Sequence, residues 1–213
     1  MTGPPGPLIA VVDYGVGNRR SVEKALLRVG ANAQITADAT LLQAADGLVI
    51  PGVGAFPAAV RRLAESGIDQ LIQEIAAGGT PILGACLGMQ LLFDHSDEHS
   101  GAAGLGLIAG EVRALQAPDR KLPHIGWSEV RWQGESPLSA GMPDPSAFYH
   151  VHSYAAWPTS EQDVIGWTDY GQRYASVIGS GNIFGVQFHP EKSSSAGLAL
   201  LANFVRICEL HAQ

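Results

Sequence analysis

In the first part of the chain, apolar positions fall into short unbroken runs separated by stretches of helical spacing. Leu8-Ile9-Ala10-Val11-Val12 predicts a buried strand, followed by a glycine-rich turn from Asp13 to Asn18. Val22, Ala25, Leu26 and Val29 then recur at helical spacing, with Asn18 or Ser21 as a cap and Gly30 as the stop. Gly47-Leu48-Val49-Ile50 is a second apolar strand, closed by Pro51-Gly52. Helical spacing returns from Ala58 to Leu63 and from Ile68 to Ala77, until Gly78-Gly79 breaks it. Pro81-Ile82-Leu83 is a third strand, running into Gly84-Ala85-Cys86-Leu87-Gly88 and an apolar helix from Met89 to Phe93. Strands without polar alternation, spaced by helices, predict a parallel sheet covered on both faces.

Beyond Asp94 the texture changes. Segments at Glu111–Leu115, Trp127–Trp132, Phe148–His152, Val164–Trp167, Tyr174–Ile178 and Asn182–Phe188 read as strands with turn residues between them. Ser193 to Leu210 reads as a closing helix, with Leu198, Leu201, Ala202, Val205 and Cys208 on one stripe. There is no internal repeat or linker, so residues 8–213 are expected to form one α/β domain with a mixed sheet in its second half. Met1 to Pro7, rich in Pro and Gly, reads as a flexible N-terminal arm.

Composition narrows the function classes. With 213 residues, 46% hydrophobic and 15% charged, the chain is an ordinary globular sequence with enough material for a sizeable core. A net charge of -7 and only three lysines, Lys24, Lys121 and Lys192, argue against nucleic acid as a partner. No apolar run approaches the roughly 18 residues of a membrane span, and the first residues lack a signal-peptide pattern. Two cysteines, Cys86 and Cys208, are too few for a disulfide framework and have no zinc spacing, which points to a reduced, cytoplasmic setting.

Cys86 carries the strongest chemical signal. It is the centre of G-x-C-x-G between a β-rich run and a helical one, the thiol form of a nucleophile elbow. The helix that follows aims free N–H groups at the sulfur, which favours thiolate and can hold an oxyanion. A buried structural cysteine in a glycine-flanked turn is the competing reading. A thiol nucleophile needs a base and the base an orienting group. The apolar run Ile183–Phe188 delivers His189 to a strand end stopped by Pro190, where ligands of open α/β sheets bind. In extended backbone Glu191 shares a face with His189 and can fix its tautomer. Two surface residues, or two metal ligands, are the alternatives for this pair, although no further cluster in the sequence completes a metal set. His95, His99 and His211 lie in polar stretches and read as solvated. Gly52-Val53-Gly54 offers a mobile backbone whose amides can face an oxyanion, because glycines on both sides let the Val53 peptide rotate.

These segments also carry a resemblance across nearly the whole chain. Pro51-Gly52-Val53-Gly54, Gly84-Ala85-Cys86-Leu87-Gly88-Met89-Gln90 and Gln187-Phe188-His189-Pro190-Glu191-Lys192-Ser193 resemble the class I triad glutamine amidotransferases. Asp13-Tyr14-Gly15-Val16-Gly17-Asn18, Pro123-His124-Ile125-Gly126-Trp127 and Tyr149-His150-Val151-His152-Ser153-Tyr154 narrow this to the glutaminase subunits of imidazole glycerol phosphate synthases. The resemblance implies a flavodoxin-like three-layer α/β/α sandwich around a mixed, mainly parallel sheet. It implies Cys86 as nucleophile, His189 as base and Glu191 as its partner. Val53, Gly54 and Leu87 would supply the oxyanion hole, and Gly52, Gln90, His152, Ser153 and Tyr154 the glutamine pocket. Asn18, Trp127, Tyr149 and Lys192 would face a (β/α)8-barrel cyclase in a heterodimer that makes imidazole glycerol phosphate in histidine biosynthesis. No cofactor or metal is implied. Ala85 stands where the family usually has isoleucine, and Val16 and His150 occupy variable positions.

Overall fold

The computed structural model describes residues 6–212, so most of the arm expected over 1–7 lies outside the described residues. At its end Pro7 is buried and its carbonyl accepts the Asn32 N–H at 3.0 Å. Five strands form a parallel array: β1 (Leu8–Val12), β2 (Asn32–Thr36), β3 (Gly47–Gly52), β4 (Ile82–Cys86) and, from the end of the chain, Ile183–Val186. Their order in space is β2-β1-β3-β4 and then that last strand. Between them run α1 (Arg19–Arg28), α2 (Ala39–Gln43), α3 (Phe56–Ser66), α4 (Ile68–Ala77) and the short α5 (Leu87–Leu91).

Strand parity sorts the core into two layers. Ala10 and Val12 of β1, with Leu48 and Ile50 of β3, pack against Leu42, Phe56, Leu63, Ile72 and Ile75 of α2, α3 and α4. Ile9, Val11, Val49 and Leu83 point the other way, onto Val22 and Leu26 of α1 and onto the C-terminal helix. Because successive strand residues face opposite sides, an unbroken apolar run is what a sheet buried on both faces requires. Each of these fully buried aliphatic side chains contributes about 1.5–3 kcal/mol of burial. The expected three-layer α/β/α architecture is present.

The remaining strands extend the sheet: β5 (Phe93–Ser96), β6 (Ala102–Ala103), β7 (Ile108–Ala114), β8 (His124–Trp132), β9 (Ser146–His152), β10 (Tyr154–Pro158), β11 (Val164–Tyr170) and β12 (Gln172–Ser180). The strand already described at Ile183–Val186 is β13, and α6 (Ser194–His211) closes the chain. In this part only β5 and β7 pair in parallel; β10–β12, β10–β7, β11–β12, β11–β8, β8–β9 and β12–β13 are all antiparallel. Phe93, expected to end a helix, instead opens β5 opposite Ile108. Ser153 is the break at which the chain leaves β9, paired with β8, and enters β10, paired with β7 and β12.

Candidate active site

Cys86 is the last residue of β4 and has φ 55° and ψ -114°, a left-handed conformation that a side-chain-bearing residue adopts at a cost of about 1–3 kcal/mol. The positive φ of the turn belongs to Cys86 itself. The role of the flanking glycines is space. A Cβ on Gly88 would stand 1.8 Å from the Ile50 carbonyl oxygen, and one on Gly84 would stand 2.5 Å from the Gly88 carbonyl oxygen. Helix α5 is buried on every side, with Leu87, Met89, Gln90 and Leu91 all inside, so the strained turn is held by packing around it.

Cys86 Sγ lies 3.8 Å from the Val151 carbonyl oxygen, and the Gln187 amide reaches the sulfur at 4.0 Å. Gln187 accepts in turn from the Gln90 side chain at 3.1 Å, which also donates to the Tyr154 carbonyl at 3.0 Å. Gln187 is fully buried beside the sulfur, a position that its sequence neighbours do not signal.

His189 follows β13 and is buried. Its Nδ1 lies 3.1 Å from Glu191 Oε1. Pro190 keeps residue 189 extended, at φ -99° and ψ 96°, and Pro190–Lys192 then forms a tight 3-10 turn. The two side chains therefore meet across a turn rather than along one strand face, as the sequence reading assumed. The backbone beneath is braced: the His189 N–H donates to the Tyr149 carbonyl at 3.0 Å, Ser193 Oγ donates to the His189 carbonyl at 2.7 Å, and the Tyr149 N–H donates to Ser193 Oγ at 2.9 Å. Burial alone would lower the His189 pKa. Hydrogen bonds to Cys86 and Glu191, together with the negative charge of both, outweigh it and raise the value to about 9. The imidazole is thus held protonated at neutral pH. Asn18 Nδ2 stands 3.5 Å from Glu191 Oε1, so this residue, expected on a partner face, also touches the buried carboxylate.

These groups open into a cavity of about 320 Å³ lined by Val53, Gly54, Cys86, Leu87, Gln90, His152, Ser153, Tyr154, His189 and Lys192, and also by Glu98, Pro123 and Val151. The structure brings together the expected catalytic, oxyanion and pocket residues, with two held behind the wall. Gly52 is buried beneath it, where a Cβ would meet Leu87 Cβ at 2.7 Å and Gly88 N at 2.8 Å. The Glu191 side chain is 2% exposed behind His189. Glu98 went unrecognised because it sits in a polar stretch; its carboxylate accepts the Phe56 N–H at 2.7 Å, which ties that stretch to the pocket wall. Tyr14 was likewise missed as a support: its hydroxyl donates to the Pro51 carbonyl at 2.6 Å under the Gly52–Gly54 segment. A larger concavity of about 670 Å³ between Trp132 and Met142 has no histidine, cysteine or lysine among its described lining residues. Size does not make it the chemical site.

At the rim Lys192 is exposed and forms no ion pair among the described residues. Trp127 is 55% exposed, with Tyr149 opposite it across β8 and β9 and the two rings 6.1 Å apart. Ile125 shares the outward face of β8 with Trp127, and Leu122 and Val53 are further exposed apolar side chains. The inward face of the same two strands carries His124, His150 and His152, which meet behind the pocket. The sequence reading found no such set. His150-x-His152 and the alternation of β8 were its available signals, because period two puts all three on the core side.

The class-I glutamine amidotransferase family profile matches residues 10–208. The imidazole glycerol phosphate synthase subunit HisH of Bacillus cereus (strain G9842) is 46% identical over 202 residues, 95% of this chain and 96% of that protein. The HisH subunit of Symbiobacterium thermophilum is 49% identical over 204 residues, 95% of each chain. Among solved structures, a glutamine amidotransferase crystal structure aligns with a TM-score of 0.74 at 18% identity over 93% of this chain and 98% of that one. PurLQS from Thermotoga maritima aligns at 0.72 and 20% identity over 97% and 99%; both likenesses speak to the fold alone. The identity to full-length relatives, on top of this fold and elbow, means that the chain belongs to the class-I glutamine amidotransferase family and, within it, to the HisH subunits of imidazole glycerol phosphate synthase.

Proposed function

We propose that this enzyme hydrolyses glutamine to glutamate and ammonia through Cys86, His189 and Glu191, within one amidotransferase domain of residues 8–213. The observation that carries the reading is a strained, buried cysteine beside an imidazole raised to about 9 and backed by a buried carboxylate. The Cys86 sulfur, its proton already held by His189, attacks the side-chain amide carbon as a thiolate, and the carbonyl becomes an oxyanion facing the Leu87 N–H and the amides of Val53 and Gly54. The protonated His189 gives its proton to the leaving nitrogen, which departs as ammonia while a thioester remains on Cys86. Neutral His189 then takes a proton from water, whose oxygen attacks the thioester and releases glutamate and the thiol. Glu191 holds the ring through Nδ1. Gly52, Gln90, His152, Ser153 and Tyr154 shape the pocket, and the Glu98 carboxylate suits the α-ammonium of an amino-acid substrate.

The exposed apolar side chains of Leu122, Ile125, Trp127 and Val53, with Val53 and Lys192 at the pocket lining, support docking of a (β/α)8-barrel cyclase at the pocket mouth. Ammonia would pass to that cytoplasmic partner, which forms imidazole glycerol phosphate and aminoimidazole carboxamide ribotide in histidine biosynthesis. No helix among the described residues is long and apolar enough to cross a membrane. The test is to replace Cys86 by Ala in the assembled pair. Glutamine-dependent synthesis should vanish while synthesis from added ammonium salt persists. Loss of both in an assembled complex would contradict this division of labour.

A further inference from the structure

We infer that the buried cluster of His124, His150, His152 and Tyr174 is a binding site for a zinc-class divalent cation. The three histidines each offer a ring nitrogen, all within 4.8 Å of one another. His124 Nδ1 lies 3.1 Å from His152 Nε2. Tyr174 Oη lies 3.1 Å from His152 Nε2, 3.3 Å from His124 Nδ1 and 3.1 Å from His150 Nδ1. A tetrahedral ion with bonds of about 2.0–2.1 Å separates its ligand atoms by about 3.3 Å; the His124–His152 pair and the three Tyr174 contacts already have that spacing, and the histidine nitrogens as a set lie within 4.8 Å. Three imidazoles and one oxygen form a donor set suited to Zn²⁺ and its neighbours rather than to Ca²⁺ or Mg²⁺.

The outer hydrogen bonds fit the same use. His152 Nδ1 faces the Tyr154 carbonyl at 2.8 Å; a carbonyl only accepts, so Nδ1 carries the proton and Nε2 turns a lone pair inward. His124 Nε2 faces Ser128 Oγ at 2.9 Å, so Nδ1 is the nitrogen it turns towards His152 and Tyr174. A backbone carbonyl or hydroxyl on the outer nitrogen is the usual support of a metal-bound imidazole. His150 is fully buried and turns Nδ1, the nitrogen it would offer the ion, towards Tyr174 Oη, while its Nε2 has no partner among the described residues. The way in is His152, which lines the substrate cavity on one side and the cluster on the other.

A consequence follows that rests on the proposed amidotransferase reading. A dication behind His152 adds positive charge close to His189 and disfavours its protonated form, so occupancy should inhibit glutamine hydrolysis. The experiment titrates the full chain with Co²⁺ alone as a spectroscopic stand-in, and Zn²⁺ in a parallel activity assay with the cyclase present. One equivalent of Co²⁺ should bind and develop the visible absorption of a tetrahedral N/O site. That signal should be lost in His150→Phe, whose ring matches the space beside Phe188, and in His150→Gln as a second variant should the first not fold. It should persist in Cys86→Ser. No stoichiometric signal in the natural chain, an unchanged signal in the folded His150 variants, or loss in Cys86→Ser would each overturn the site. Zn²⁺ should abolish turnover of the natural chain and spare His150→Phe. Binding without inhibition would overturn the coupling to His189. Absence of turnover even without metal would instead fail the amidotransferase reading and leave the Co²⁺ result standing.

Discussion

The two walls that meet at the Cys86 sulfur are built differently. On one side, the turn from β4 into α5 is clamped: Cys86 is 6% exposed, and added carbons on Gly84 or Gly88 would collide with backbone. On the other, the segment from Gly52 to Gly54 is anchored at one end only. Gly52 is packed against Leu87 and Gly88, but Val53 is 44% exposed, and Gly54, at φ 98°, has nothing within 4 Å of where a Cβ would be. Glycine thus does two jobs in one pocket, giving room on the nucleophile side and backbone freedom on the oxyanion side. Under the proposed function, the contrast suits a fixed nucleophile and an oxyanion hole that a partner docking over Val53 would adjust.

The largest expected effect bears on the clamped side. His189→Asn should lower glutamine turnover by about 10²–10⁴-fold, the usual worth of acid–base catalysis, measured as glutamate release with the cyclase present. Turnover within a few-fold of the natural chain would remove His189 from the chemistry. Gly88→Ala comes next and reads stability: forcing a Cβ to 1.8 Å from the Ile50 carbonyl should cost about 3 kcal/mol or more in urea unfolding. A near-natural midpoint would mean the turn is not clamped.

Glu191→Gln sharpens the electrostatics. The natural enzyme should lose activity as pH rises through about 9, where His189 gives up its proton. Removing the Glu191 charge removes one cause of the raised value, so the alkaline limb should move to lower pH. An unmoved limb would show that Cys86 alone holds the proton. The same shift bears on stability: the folded chain binds this proton more tightly than the unfolded one. The His189 contribution is therefore complete below about 6.5 and lost as pH rises through about 9. The smallest effect belongs to Gly54→Ala. It meets no neighbour, so only the left-handed φ opposes it, at about 1–2 kcal/mol, and Cys86 alkylation should stay intact. Its activation by the cyclase should flatten. A stability loss as large as that of Gly88→Ala, or full activation, would erase the difference between the two walls.

Legibility followed the same division. The parallel strands were readable because burial on both faces leaves an unbroken apolar run, as in Leu8–Val12 and Gly47–Ile50. Asn32–Thr36 was not readable, since an edge strand with only Ala33 buried has no such run. Ala39–Gln43 was too short to show a helical period, although Asp38 caps it through the Leu41 N–H. The local elbow and the His189–Glu191 pair were visible as sequence neighbours. What stayed hidden was convergence over distance: Glu98 reaching the Phe56 N–H, Tyr14 under Pro51, and three histidines brought together by the pairing of β8 with β9. The first two join loop residues to distant backbone, and the third depends on strand register, which apolar pattern alone does not give here because both faces of β8 and β9 mix polar with apolar residues.

The most direct test of the triad is to expose the assembled pair of chains to a glutamine-analogue electrophile and map the adduct by mass spectrometry. The account predicts a single adduct on Cys86, slowed by glutamine, absent in Cys86→Ala and strongly reduced in His189→Asn. An adduct on Cys208 instead, or continued glutamate release from a complex whose Cys86 is replaced, would contradict it.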